Sequence, residues 1–124
     1  MPFETLSSST LHRIPHLEGA PSYVHFVDTF GTPDTAGGIR DPLTGSLFYI
    51  EHTSDEQELR PYDYDETGVV LKGVLTIEDE AGKTATLGKG DTFFIHRGSR
   101  IKFTTPDFGI AFKGAARWKR VSKL

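Results

Sequence analysis

Short runs of hydrophobic residues, some of them alternating with polar ones, recur along the chain. In residues 46–53 (SLFYIEHT), Phe48, Ile50 and His52 fall on one face of an extended segment, and Leu47 falls on the other. Similar runs occupy residues 23–28, 60–64, 66–71, 74–78, 83–87, 92–96, 100–104 and 109–113. About nine short strands at regular spacing predict an all-β protein, either a sandwich or a barrel.

The runs divide the chain into three parts. Residues 1–22 are rich in Pro and Ser and are expected to form an extended N-terminal arm without regular structure, which lies across the barrel or a partner subunit. Residues 23–118 hold the strands, including a hairpin that joins 74–78 to 83–87 through Asp79-Glu80-Ala81-Gly82. The segment 119–124 is a basic tail, and the preceding 115–120 is expected to include one helical turn.

Composition narrows the functional classes. A chain of 124 residues with 36% hydrophobic residues is typical of one folded domain with one core. Its net charge of -3 does not favour a nucleic-acid partner. The chain has no Cys, which excludes disulfides, thiolate metal sites and cysteine nucleophiles. No apolar run has the length of a membrane span, and so no membrane partner is expected.

Two glycine-punctuated halves, RPYDYDETGVVLKG (60–73) and GDTFFIHRGSRIKF (90–103), resemble the paired motifs of the cupin superfamily. Glu66 and Gly73 have the spacing of the second half of the first motif, and Gly90, His96 and Gly98 match the frame of the second. Together with YDYDETGVVLKG and FTTP, they are similar to small single-domain cupins of the ethanolamine-utilisation accessory protein Q type. The resemblance implies a double-stranded β-helix, or jelly-roll, barrel with one central pocket.

The resemblance also implies a metal site, which this chain alters. Cupin metal sites use two His and one Glu from the first motif and one His from the second. The corresponding positions hold Arg60, Tyr62, Glu66 and Ile101. Ile cannot bind a metal and Arg repels one, so no cofactor is expected to be required. The alternative is a rebuilt divalent-metal site that draws on Glu66, Tyr62, His52 and His96.

The candidate site follows from the same positions. Glu66, Tyr62 and His52 are the candidate catalytic residues, because a carboxylate in apolar surroundings suits general acid or base work and phenols donate hydrogen bonds. The candidate ligand-binding residues are Arg60, Tyr64, His96, Phe94, Ile101 and Phe103. The polar candidates have structural alternatives: a rim ion pair of Glu66 with Arg60, a core His52, packed tyrosines, or a surface turn at His96.

These residues predict a small cupin that binds or acts on a small carboxylate or carbonyl metabolite. Non-redox proton transfer of the isomerase or lyase type, using Glu66, is the first interpretation. A non-catalytic ligand-binding or accessory protein and a metal-dependent cupin are the alternatives, because one fold carries many functions. A homodimer is expected from the resemblance, since the arm needs a surface to cover.

The last three residues, Ser122-Lys123-Leu124, are the tripeptide of a peroxisomal address. They predict a peroxisomal location, with the import receptor as a further partner; without the address the expectation is the cytoplasm.

Overall fold

The computed structural model describes residues 3–33, 40–52 and 58–120. Within them lie a short 3-10 helix (Ser8–His12) and eight strands. The strands are β1 (Val24–Gly31), β2 (Thr44–Glu51), β3 (Arg60–Pro61), β4 (Glu66–Asp79), β5 (Thr84–Gly88), β6 (Thr92–Ile95), β7 (Arg100–Thr104) and β8 (Phe108–Ala115). The all-β prediction is therefore confirmed.

The strands form one curled antiparallel sheet in the order β1-β2-β8-β4-β7-β3, with β5 and β6 also paired to β4. The first part of β4 pairs with β6 and β8, and its last part pairs with β5 and β7. The expected hairpin is present as β4 and β5. However, the two runs predicted at 66–71 and 74–78 are one strand of 14 residues, which passes from one side of the barrel to the other.

Gly73 is the point at which β4 makes this passage. Its φ is +71°, a left-handed value that residues with a Cβ rarely adopt. A Cβ at this position would also overlap the carbonyl oxygen of Phe108 on β8. Glycine is thus required both by the backbone conformation and by the close approach of the neighbouring strand.

The sheet is covered on both faces. Inside the barrel, Phe48, Ile50 and Ala111 pack in one cluster with Val70 and Leu75. The alternate residues of the same strands form a second, outer cluster. Its buried members are Ile14, Val27, Leu47 and Ile110. This explains why β2 is buried almost throughout rather than at every second residue.

The N-terminal arm supplies the cover for the outer face. Ile14 is buried there, with Leu11 packed against the same cluster. The prediction that the arm has no regular structure is wrong, because the 3-10 helix begins after Ser7, whose hydroxyl accepts from the Ser9 amide. A further β-bridge joins His16 to His25 of β1. The arm therefore packs on the barrel of its own chain.

The segment after β8 is also held against the barrel, but not as the expected helical turn. Arg117 forms a bidentate ion pair with the buried Asp28 of β1, at 2.8 and 2.9 Å. The backbone amide of Arg120 donates to the same carboxylate at 2.6 Å, and the Thr44 hydroxyl donates to the Arg117 carbonyl at 2.6 Å.

No helix in the described part of the chain is long and apolar enough to span a membrane. Ser122, Lys123 and Leu124 lie outside the described residues, so the peroxisomal address stays a prediction.

Candidate functional site

A cavity of about 500 Å³ opens into the barrel, a size usual for a small-molecule site. The arm, the segment 58–64, the C-terminal segment and β1, β2, β4, β7 and β8 all contribute to its wall. The lining residues are Leu17, Ala20, Val24, Phe26, Phe48, Ile50, Glu58, Arg60, Pro61, Tyr62, Asp63, Tyr64, Glu66, Ile101, Lys102, Phe103, Lys113 and Arg120. The wall is thus partly aromatic and aliphatic, and seven of its eighteen residues are charged.

The inner wall of the cavity holds a buried ion pair. Glu66 begins β4 and Lys113 lies on β8, where Gly68 pairs with Lys113. Residues 66 and 68 share a face, so the carboxylate and the ammonium meet diagonally across the two strands. Nζ of Lys113 lies 3.4 Å from Oε2 of Glu66, and the two side chains are 4% and 3% exposed. That distance joins two charges, but Oε2 has no partner at hydrogen-bond geometry within the described residues.

Two aromatic rings contact the ammonium of Lys113. Nζ lies 4.0 Å from the ring centroids of both Phe48 and Phe103, within the range of cation–π attraction. Burial lowers the pKa of Lys113 from its ordinary value, and the negative charge of Glu66 opposes this effect. The neutral amine is therefore easier to form here than at the surface.

Two tyrosines form another part of the wall. The ring centroids of Tyr62 and Tyr64 lie 5.4 Å apart, and the angle between the two ring planes is 60°. Burial, with a smaller contribution from the charge of Glu66, raises the pKa of Tyr62 well above its ordinary value, so its hydroxyl stays a hydrogen-bond donor at neutral pH.

Tyr64 is fixed by the C-terminal segment. The guanidinium groups of Arg117 and Arg120 both lie 5.4 Å from its ring centroid, and Arg120 donates to its hydroxyl at 3.3 Å. Burial acts to lower the pKa of Arg117, but hydrogen bonds and charge from Asp28 outweigh this effect and raise it. The Asp28–Arg117 pair therefore positions one wall of the cavity.

Six of the candidate residues meet at this cavity. They are Glu66, Tyr62, Arg60, Tyr64, Ile101 and Phe103. The rim pair expected between Glu66 and Arg60 is replaced by the buried pair of Glu66 with Lys113.

The other three candidates, His52, His96 and Phe94, lie elsewhere. His52 follows the end of β2, is exposed, and donates from Nδ1 to the Pro106 carbonyl at 2.6 Å. On β6, Ile95 is buried and Phe93 packs on the inner cluster, so the alternate side chains of Phe94 and His96 point outward. Phe94 is 54% exposed, and the centroid of its ring lies 4.8 Å from that of the His96 ring. Placing these three residues in the pocket was therefore wrong.

Sequence reasoning missed several cavity residues, and Lys113 is the buried charged one among them. The run GIAFKG places Lys113 on the same face as Ala111, two residues earlier, and Ala111 is fully buried inside the barrel. An isolated Lys in a hydrophobic run was the available signal.

The side chains at the cavity do not fit the metal site that the fold implies. Glu66 is the single conventional ligand type left at the four motif positions, and it is already paired with an ammonium. Nowhere among residues 3–33, 40–52 and 58–120 do three His, Asp or Glu side chains come close enough to hold an ion. The rebuilt site would also need His52 and His96, which lie away from Glu66 and Tyr62 in the cavity wall.

Residues 45–118 match the family model described as the EutQ-like cupin domain. The chain belongs to this cupin family. No curated protein sequence matches it significantly.

Solved structures agree with this assignment. An ethanolamine utilization protein Q (EutQ) of Salmonella typhimurium is 26% identical with a TM-score of 0.65, covering 86% of this chain and 78% of its own. The EutQ protein of Clostridium difficile is also 26% identical, with a TM-score of 0.59 and coverage of 75% and 67%. The DMSP lyase DddQ of Ruegeria pomeroyi, at 18% identity, TM-score 0.60 and coverage of 77% and 48%, shares the fold alone.

Proposed function

We propose that this EutQ-like cupin binds a small polar metabolite, a carboxylate or carbonyl compound, in the barrel cavity and acts on it by proton transfer through Glu66. The observation that carries the proposal is a carboxylate that lines the cavity while only 3% exposed, next to a single buried ammonium. A charged pair in a core costs stability unless geometry compensates, so its presence at a cavity wall favours a functional role.

The other groups suit such a ligand. Arg60 lies at the exposed side of the cavity and can pair with a carboxylate. Tyr62 can donate a hydrogen bond to a carbonyl oxygen, and Ile101 and Phe103 exclude water from the carbon skeleton. Glu66 would then take or give the proton in an isomerase- or lyase-type step without redox chemistry.

A test begins with the compound that co-purifies with the protein, identified by mass spectrometry and returned in calorimetric titrations. Arg60→Gln should weaken binding of a carboxylate ligand about tenfold or more, because a charge-assisted contact is lost. Arg97→Gln is the matched control, since Arg97 is exposed and does not line the cavity. Equal affinities for both variants would remove Arg60 from the site.

The family match supports a second candidate, because the similar EutQ proteins are named for ethanolamine utilization rather than for a reaction. In that case the cavity holds its ligand without converting it. Incubation of the purified protein with the identified ligand separates the two functions, because a ligand that is bound and returned unchanged favours the accessory role.

The homodimer and the peroxisomal address remain proposals from the sequence. Light scattering at micromolar concentration should give twice the monomer mass. A fluorescent protein that carries Ser122-Lys123-Leu124 should accumulate in peroxisomes, and diffuse fluorescence unchanged by deletion of Leu124 would refute the address.

A further inference from the structure

Proton transfer by Glu66 leaves its partner without a role in the proposed function. Lys113 lies in the cavity wall, is 4% exposed, and contacts no carboxylate other than Glu66 in the ion pairs of the described residues. A desolvated lysine amine at a cavity is the usual nucleophile toward carbonyl compounds.

We propose that Lys113 forms a Schiff base with the carbonyl carbon of a small aldehyde or ketone bound in the cavity. The inference rests on the proposed function, because it chooses the carbonyl class and adds a covalent step at the same site. It predicts that Glu66 exchanges a proton with Lys113 before it exchanges one with the substrate.

The step balances without any further reactant. Glu66 takes one proton from the ammonium of Lys113, at 3.4 Å, and frees the nitrogen lone pair. The amine attacks the carbonyl carbon, forming the C–N bond, and a second proton moves from nitrogen to oxygen to give a carbinolamine. Glu66 returns its proton to this hydroxyl, the C–O bond breaks, and water leaves. The products are a protonated imine, one water molecule and the original carboxylate.

The surroundings of Lys113 suit this chemistry. The rings of Phe48 and Phe103 each lie 4.0 Å from the nitrogen and limit its contact with bulk water, which would hydrolyse the imine. Both rings also line the cavity, so a ligand that touches them lies close to the nitrogen.

Lys102 offers an internal comparison. It lines the same cavity, but its side chain is 26% exposed and pairs at 3.7 Å with Glu78, which is 35% exposed. Lys102 thus differs from Lys113 in its burial and in its acidic partner. Reactivity of Lys113 but not of Lys102 would therefore follow from burial and from Glu66, not from access to the cavity alone.

The experiment traps the imine in the wild-type protein with sodium borohydride after incubation with pyruvate, glyoxylate or propionaldehyde. Peptide mass mapping then compares the reduced adduct at Lys113 with that at Lys102. We expect about tenfold or more labelling at Lys113 with at least one probe. Glu66→Gln removes the acid that protonates the carbinolamine hydroxyl. Dehydration to the imine, and hence labelling at Lys113, should therefore slow about a hundredfold, with labelling of Lys102 unchanged.

Two results would overturn the inference. One is the absence of an adduct at Lys113 with all three probes, and the other is labelling of Lys102 at an equal rate. Because the wild-type protein is used, neither result depends on whether a Lys113 variant folds.

Calorimetric titration of the same three probes separates this failure from failure of the proposed function. Binding without an adduct removes the Schiff base and leaves binding and proton transfer by Glu66 in place. The absence of both binding and adduct overturns the inference and also counts against the carbonyl class.

Discussion

Removing one partner of the Glu66–Lys113 pair should destabilise the protein more than removing both. Lys113→Met replaces the ammonium by an apolar side chain of similar length and leaves the Glu66 carboxylate buried, at 3% exposure, without its counter-charge. The double variant Glu66→Gln/Lys113→Met removes both charges and keeps the volume of both side chains.

The magnitude follows from the geometry. At 3.4 Å, with an effective dielectric constant of about 20, two unit charges attract each other by about 5 kcal/mol. Desolvation of the two ions costs a similar amount, several kcal/mol each at most, so the intact pair is close to neutral for stability. Loss of one partner should therefore lower the free energy of unfolding by about 3 to 5 kcal/mol, and loss of both by less than about 2 kcal/mol.

Urea unfolding measures this difference through the fluorescence of Trp118, the single tryptophan. Lys102→Met is the matched control, because its partly exposed pair with Glu78 should contribute at most about 1 kcal/mol. The free energy of unfolding of Lys113→Met could also fall by less than about 1 kcal/mol, or the effects of Glu66→Gln and Lys113→Met could add up in the double variant. Either result would mean that solvent screens the charges of the pair. Burial would then not explain the energetics of the pair.

Three further outcomes test the fold and the cavity wall. Asp28→Asn should lower the free energy of unfolding by about 3 kcal/mol, because the buried Arg117 guanidinium loses its carboxylate; an unchanged urea midpoint would contradict this. Gly73→Ala should cost about 2 to 4 kcal/mol, since it adds a clash to an unfavourable φ, whereas Gly82→Ala, with a φ of +84° and no neighbour within 4 Å, should cost about 1 kcal/mol in the same melts. The pKa of Tyr62 is higher in the folded than in the unfolded protein, so the wild type should lose stability as the pH rises past the unfolded pKa of about 10. Tyr62→Phe should lose less stability over the same pH range. Parallel stability curves of the two proteins at alkaline pH would refute the raised pKa of Tyr62.

The strands and the barrel could be predicted because their signals are local. The apolar run of β2 and the turn at Asp79 to Gly82 each lie within a few residues. The break expected between residues 71 and 74 was not found, because Gly73 bends the strand without ending it. A glycine with a positive φ can bend a strand or end it. At Gly73 the outcome depends on the pairing of β4 with strands distant in sequence.

The candidate site was predicted only in part, because pairing between strands distant in sequence also decides which side chains reach it. In β6 both Phe93 and Phe94 are large and apolar, so the pattern cannot choose the face that turns inward, and the pairing with β4 decides it. Lys113 lies 47 positions from Glu66 in the chain, and no local spacing links them. The ion pair exists because β4 and β8 are neighbours in the sheet, which is a property of the whole topology.

The most direct test of the account is the turnover of the ligand identified by mass spectrometry, measured for the wild type, Glu66→Gln and the control Glu78→Gln. The account predicts that Glu66→Gln binds the ligand within about tenfold of wild-type affinity but turns it over about a hundredfold more slowly or worse, while Glu78→Gln behaves as wild type. Full turnover in Glu66→Gln would contradict the account and leave the cavity as a binding site only.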